Sequence, residues 1–311
     1  MKKVISISLG SDKRDHKVEA EFLGEKFIIE RRGTNGDKKK AAQLYTDLDG
    51  KYDAFGMGGI DLSIQVANNC YYFKDAKRLV KNVEKTPVVD GSGLKNTLER
   101  MTVNYIEDQL GISLSAKKVL LTAALDRFGM AEAFVERKAD LVCGDLIFGL
   151  GIPIRIKSLK VLKIIAAVIA PVVTKLPFEL VYPTGSKQDQ EKVEDDKFKK
   201  FYDEADIIAG DFHYIKSYLP SRIDNKLILT NTTTSSDIDN LKQKGAKALI
   251  TTTPNLNGRT FGTNVMEALL VAIIGKDPSQ IKTEDYLRIL KKLNFEPNYI
   301  EFDKGKDDIN G

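Results

Sequence analysis

The 311-residue chain has no tryptophan, two cysteines and two histidines. Cys70 and Cys143 both fall in strand-like apolar runs, so they read as buried thiols of a reducing compartment and not as a disulfide framework. His16 and His213 are far apart, and no Cys/His metal site is expected. No apolar run is long enough to span a bilayer, since the longest uncharged one, Ile164–Thr174, falls well short of the required ~20 residues. The start, MKKVISISLG, passes straight into a strand without a signal peptide's apolar core, so a cytoplasmic location is expected. There is no long block of one charge: 48 Lys and Arg against 44 Asp and Glu leave +4, spread along the chain. Basic and aromatic residues do not interleave either, so no nucleic-acid partner is implied. The G-x-S-x-G elbow of a Ser/His/Asp hydrolase is missing too.

What is present is a composition of 42% hydrophobic and 30% charged residues, which suits a folded soluble protein, and a length that suits two domains. Short apolar runs alternate with helical periodicity on both sides of a long helix, Leu94–Leu110, that Gly111 ends. The expected fold is α/β, with two domains that each carry a mostly parallel sheet and flanking helices, the second Rossmann-like. Residues 1–112 form the first, substrate-side domain, ending in the linker helix, and residues 113–311 the second. The last helix, Glu284–Leu293, has the option of returning to the first domain. A hairpin is expected over Val18–Phe22 and Lys26–Glu30, a helix from Asp75 as cap to Val83, and strands at Phe178–Tyr182, Ile207–Ala209, Lys226–Leu229 and Ala248–Ile250. Lys157, Lys160 and Lys163 form one stripe beside Ile164–Thr174, which reads as a membrane-surface helix or as a crossover helix with a solvated lysine edge. Pro171 should end or kink it.

The stretch Lys117–Gly151 reads strand, helix, strand, a βαβ unit. It puts the Ala124–Met130 turn at a strand's carboxyl end and a helix's amino end, where doubly wound sheets bind anions. Asp145 follows Asp126 by 19 positions, close to the spacing at which an acid grips the ribose hydroxyls of a dinucleotide. The turn holds one glycine, Gly129, where G-x-G-x-x-G has three, and Asp126 puts a negative charge at the phosphate position, with Arg127 beside it. A plain βαβ unit without a nucleotide fits the same residues. If a cofactor binds, Ala124, Asp126, Arg127, Gly129, Asp145 and Thr252 are its expected contacts. NAD is then favoured over NADP, because a 2′-phosphate would meet the Asp145 charge.

Other polar clusters also fall at expected strand ends. Asp90 and Lys95 are the candidate catalytic pair: Asp90 could accept a hydroxyl proton, and Lys95 could polarise an oxyanion. Ser92 as a helix cap and Lys95 as a surface lysine is the competing reading. Ser11, Arg14, Asp61, Ser92, Asn96, Arg259 and Asn264 are candidate substrate contacts, Arg259 offering a fork for carboxylate or phosphate. If both sheets point these ends inward, they face one another across an interdomain cleft. The expected partner is a small anionic metabolite, and a homodimer is compatible with the chain.

The segments Met1–Gly10, DAFGMGGID (Asp53–Asp61), VDGSGLKNTLER (Val89–Arg100), DRFGMAEA (Asp126–Ala133) and GRTFGTNVME (Gly258–Glu267) resemble a bacterial family commonly labelled quinate 5-dehydrogenase, and the resemblance covers essentially the whole chain. It implies a distant similarity to shikimate and quinate dehydrogenases, with a substrate domain followed by a nicotinamide-binding domain. Asp90-Gly91 takes a place comparable to the Asn-Thr-Asp-Gly stretch before their linker helix. The chain lacks their Asn-Val-Thr-x-Pro-His-Lys motif, and Ala123–Gly129 replaces their glycine-rich turn. The resemblance implies an NAD- or NADP-dependent oxidoreductase acting on a small hydroxylated acid. The alternative is a non-redox transferase or metabolite sensor on the same architecture, with Arg127 and Arg259 holding the anion.

Overall fold

The computed structural model describes residues 1–66, 69–176, 196–253, 255–256, 259–260 and 262–302. In chain order the elements are β1 (Lys2–Ser8), β2 (His16–Phe22), β3 (Glu25–Gly33), α1 (Lys38–Leu48), β4 (Ala54–Gly58), β5 (Ser63–Val66), β6 (Asn69–Tyr72), α2 (Lys74–Leu79), β7 (Val88–Val89) and α3 (Ser92–Asp108). They continue with β8 (Lys118–Leu121), α4 (Phe128–Glu136), β9 (Asp140–Cys143), α5 (Leu159–Val173), α6 (Asp196–Glu204), β10 (Ile207–Gly210), α7 (Phe212–Ser217), β11 (Leu227–Thr230) and α8 (Ser235–Gln243). The last are β12 (Ala248–Thr251), β13 (Asn255–Leu256), β14 (Arg259–Thr260), α9 (Thr263–Ile274), α10 (Thr283–Lys292) and β15 (Asn298–Glu301).

The chain is α/β and divides into two compact units. The first is Met1–Thr97, Leu162–Gln190 and Phe261–Phe295; the second is Leu98–Val161, Glu191–Thr260 and Glu296–Gly311. The division thus runs through α3 between Thr97 and Leu98, not at residue 112, and α9 and α10 join the first unit. The physical reason is α9, TNVMEALLVAII, which buries nine of its residues and so needs a sheet face to lie on.

In the first unit the sheet order is β2-β3-β1-β4-β7, parallel except for the β2–β3 hairpin. Alternation along the strands separates two faces. Ile5, Ile7, Phe55 and Met57 pack with Tyr45 of α1 and Ala76 of α2. On the other face α9 lies along β1 and β4. Gly56 makes this possible: a Cβ there would stand 2.8 Å from the Asn264 carbonyl oxygen. Asp75 does not cap α2; Phe73 holds that position, and Asp75 pairs with Lys38 at 2.6 Å.

In the second unit the order is β15-β12-β11-β10-β8-β9, five parallel strands with β15 antiparallel at the edge. The runs IIAG, LILT and ALIT are buried throughout, as parallel strands covered on both faces must be. Phe198, Phe201, Tyr202, Phe212, Leu241 and Phe148 fill one core. Counted along the chain the parallel strands run 2-1-3-4-5, a doubly wound order of the Rossmann class. The edge strand β15 has no counterpart in the sequence reading. Pro171 does not end α5, which continues to Val173. The Phe178–Tyr182 strand and the Cys70 side chain lie outside the described residues, while Cys143 is a buried free thiol.

Candidate functional site

In the first unit, Glu267 lies in the second turn of α9, near the carboxyl ends of β4 and β7, and is 3% exposed. One oxygen accepts the Gly91 N–H at 2.7 Å and the other the Tyr286 hydroxyl at 2.8 Å. Burial pushes its carboxyl up to about 7 and the Asp90 charge adds to this, while Tyr286, Gly91 and Lys95 pull the other way. A group poised to change charge near neutrality, beside a lysine and a second carboxylate, can act as a general acid or base.

The turn before α3 is folded around this group. Asp90 accepts the Leu62 N–H at 2.6 Å and the Ser92 N–H at 2.9 Å, so its carboxylate fixes the turn and caps the helix. Gly91 has φ +98, and a Cβ on it would come within 2.9 Å of the Asn264 nitrogen. Asn264 in turn donates from Nδ2 to the Ser6 hydroxyl at 2.7 Å. The groove of about 660 Å³ lined by Lys2, Asp53, Lys85, Ala272 and Lys276 lies at the opposite, amino-terminal end of this sheet.

In the second unit the strand order reverses between β8 and β10, and ligands of doubly wound sheets bind at the carboxyl side of such a point. Here the chain fills that place itself. Asp145, just past β9, accepts the Ala124 N–H at 3.1 Å and the Leu125 N–H at 2.9 Å. Burial pushes its carboxyl up to about 6 against the pull of those two N–H groups. Burial and the Asp145 charge together push the Cys143 thiol up to about 12.

Arg127 is 2% exposed, donating to Glu99 at 2.6 Å and to Asp211 at 2.9 Å, with Asp126 at 3.9 Å from its Nε. Burial works against its charge, but Glu99, Asp211 and Asp126 outweigh it and hold the guanidinium above its ordinary value. Asp211 also takes the Asn231 amide at 3.0 Å. The threonine cluster closes on itself as well. Thr230, Thr251 and Thr253 donate their hydroxyls to the carbonyls of Gly210, Thr253 and Asn231, and the Thr252 N–H goes to Thr230.

Of the residues expected from sequence, Asp90 and Lys95 act on the Glu267 carboxyl, Ser92 donates its N–H to Asp90, and Asn264 lies against Gly91, all in the first unit. Ser11 is buried, Arg14 and Asp61 half-buried, and Ser92 and Asn96 exposed, all in that unit. Ala124, Asp126, Arg127, Gly129, Asp145 and Thr252 lie in the second unit, Gly129 buried inside α4. The Arg259 backbone forms β14, and its side chain lies outside the described residues. Sequence reading missed Glu267, Tyr286 and Glu99. Glu267 had a usable signal: it is the single charge in an otherwise apolar or small-residue helix. Among the described residues no cluster of three Asp, Glu, His or Cys could hold a metal.

Residues 93–302 match the family described as Domain of unknown function (DUF8754), and residues 3–90 match Domain of unknown function (DUF8753). No curated protein matches by sequence. Among solved structures, the chain is similar to a periplasmic ribose ABC transporter from Conexibacter woesei DSM 14684, at 11% identity over 93% of this chain and 94% of that one, TM-score 0.38. It is also similar to L-tryptophan dehydrogenase from Nostoc punctiforme, at 15% identity over 87% and 68%, TM-score 0.35. A third is an NAD-dependent malic enzyme from Thermotoga maritima, at 10% identity over 94% and 84%, TM-score 0.33. At these scores the likenesses carry no argument about chemistry.

Proposed function

The chain belongs to the DUF8754 family, and from its own geometry we propose that it is a non-redox protein, a transferase or a sensor, that takes a small hydroxylated anionic metabolite at the carboxyl ends of β1, β4 and β7. One observation carries the choice against a dehydrogenase. The N–H groups of Ala124 and Leu125, which a dinucleotide-binding turn would offer to pyrophosphate, are taken by the Asp145 carboxylate. Asp126 adds a further negative charge, and Arg127 is committed to Glu99 and Asp211. These residues do not fit a nicotinamide dinucleotide. In the first unit Lys95 supplies a cation for the metabolite's carboxylate, and the Glu267 carboxyl can exchange a proton with a hydroxyl near neutral pH.

The other reading is an NAD(P)-dependent oxidoreductase of the quinate and shikimate dehydrogenase type, with Asp90 and Lys95 at the hydroxyl. One observation favours it: Asp145 follows the second strand of the doubly wound order, where a ribose-binding acid stands. The test is to titrate NADH and NADPH against the wild type, following the nucleotide's own emission, which no tryptophan obscures. Quinate and shikimate are titrated in parallel by thermal shift, with wild type and Lys95→Ala. No nucleotide binding at millimolar concentration, with a Lys95-dependent shift from a hydroxy acid, is the expected result. Saturable binding of NADH would restore the dehydrogenase reading.

A further inference from the structure

The sequence from Leu146 to Phe178 contains no aspartate or glutamate, yet it holds Arg155, Lys157, Lys160, Lys163 and Lys175. Helix α5 lies within it and has two apolar faces. Leu162, Ala166 and Ala170 are buried, as the inner face of any packed helix would be. On the opposite side Val161, Ile164, Val168 and Val172 are 47%, 66%, 71% and 60% exposed, and Leu176 beyond the helix end is 40% exposed. Their spacing of three and four makes one continuous stripe. A stripe of large aliphatic side chains left in water marks an interaction surface. No helix among the described residues is long and apolar enough to cross a membrane.

The charges around the stripe select its partner. At about 100° per residue, Lys160 borders the stripe, and Lys175 stands just past the helix end, both exposed. Arg155 and Lys157 pair with Glu204 and Asp140; a second copy of the chain docking face to face here would bring its own Lys160 and Lys175 up against the Lys160 and Lys175 of the first. An anionic lipid surface would accept the aliphatic stripe at the headgroup boundary and the lysines among its phosphates. We propose that the exposed face of α5 docks on the surface of an anionic membrane. The helix lies flat there, with Ile164, Val168 and Val172 inserted and Lys160 and Lys175 at headgroup level.

Flotation of the full chain with vesicles tests this, comparing phosphatidylcholine alone with phosphatidylcholine plus phosphatidylserine, at about 0.1 M and about 1 M salt. The wild type should float with the phosphatidylserine vesicles at the lower salt and be released at the higher. Ile164→Ser with Val168→Ser should abolish flotation, and Lys160→Gln with Lys175→Gln should weaken it about 30-fold. Both pairs are on the surface, so their melting temperatures should match the wild type, which separates lost docking from lost folding. No flotation of the wild type would overturn the proposal, as would flotation that survives the Ile164/Val168 change. A wild-type dimer in sedimentation that Ile164→Ser with Val168→Ser makes monomeric would also overturn it, assigning the stripe to a second copy.

Discussion

Replacing Glu267 by glutamine should make the protein more stable, but only where the glutamate is ionised. The folded carboxyl titrates at about 7, above its ordinary 4.5, because it is buried beside Asp90. The folded state therefore holds this proton more tightly than the unfolded chain. The stability so gained is fully present below about pH 4.5 and is lost as the pH rises through about 7. At 1.36 kcal/mol per unit the loss across that window is about 3 kcal/mol. Glutamine copies the protonated glutamate: its carbonyl oxygen can accept the Gly91 N–H, and its amide can donate to the Tyr286 oxygen. Wild type and Glu267→Gln should then melt together at pH 4.5 and diverge by pH 8, with the variant higher by roughly 6–12 °C for a domain of this size class. Thermal unfolding at several pH values measures the difference, in which the other titrating groups, Asp145 among them, cancel. An equal offset at every pH would refute the reasoning. So would a variant that melts lower at pH 8, which would mean the ionised carboxylate is preferred in the fold.

Two further outcomes are expected. Arg127→Leu strands the buried Glu99 and the half-buried Asp211 carboxylates without their cation and should cost about 3–5 kcal/mol, read as a large fall in melting temperature or in folded yield; an unchanged melt would show that the network relaxes at no cost. Gly56→Ala puts a Cβ 2.8 Å from the Asn264 carbonyl oxygen and should cost about 1–3 kcal/mol in thermal unfolding, whereas Gly149→Ala, with nothing within 4 Å, should be near neutral.

Some of this was legible in the chain alone. The buried runs IIAG, LILT and ALIT are apolar up to a closing Gly or Thr, so each announces a strand covered on both faces. Strand and helix alternate at the right lengths, which fixed the α/β class and the doubly wound second sheet. These features are local: a propensity, a period or a cap acts over a few residues, and the sequence carries it in place.

The partners of the charged groups are not local. Asp145 has the spacing of a ribose-binding acid, yet its oxygens go to Ala124 and Leu125 once β8 and β9 lie side by side. Arg127 reads as an anion clamp until α3 and the end of β10 bring Glu99 and Asp211 to it. Glu267 meets the Gly91 N–H from 176 positions away, because α9 comes back to lie on β1 and β4. Which segments become strands and helices follows from hydrophobic period, a short-range property legible residue by residue. Tertiary structure alone decided which carboxylate meets which donor, because in a buried site that pairing depends on distances set by chain segments remote in sequence.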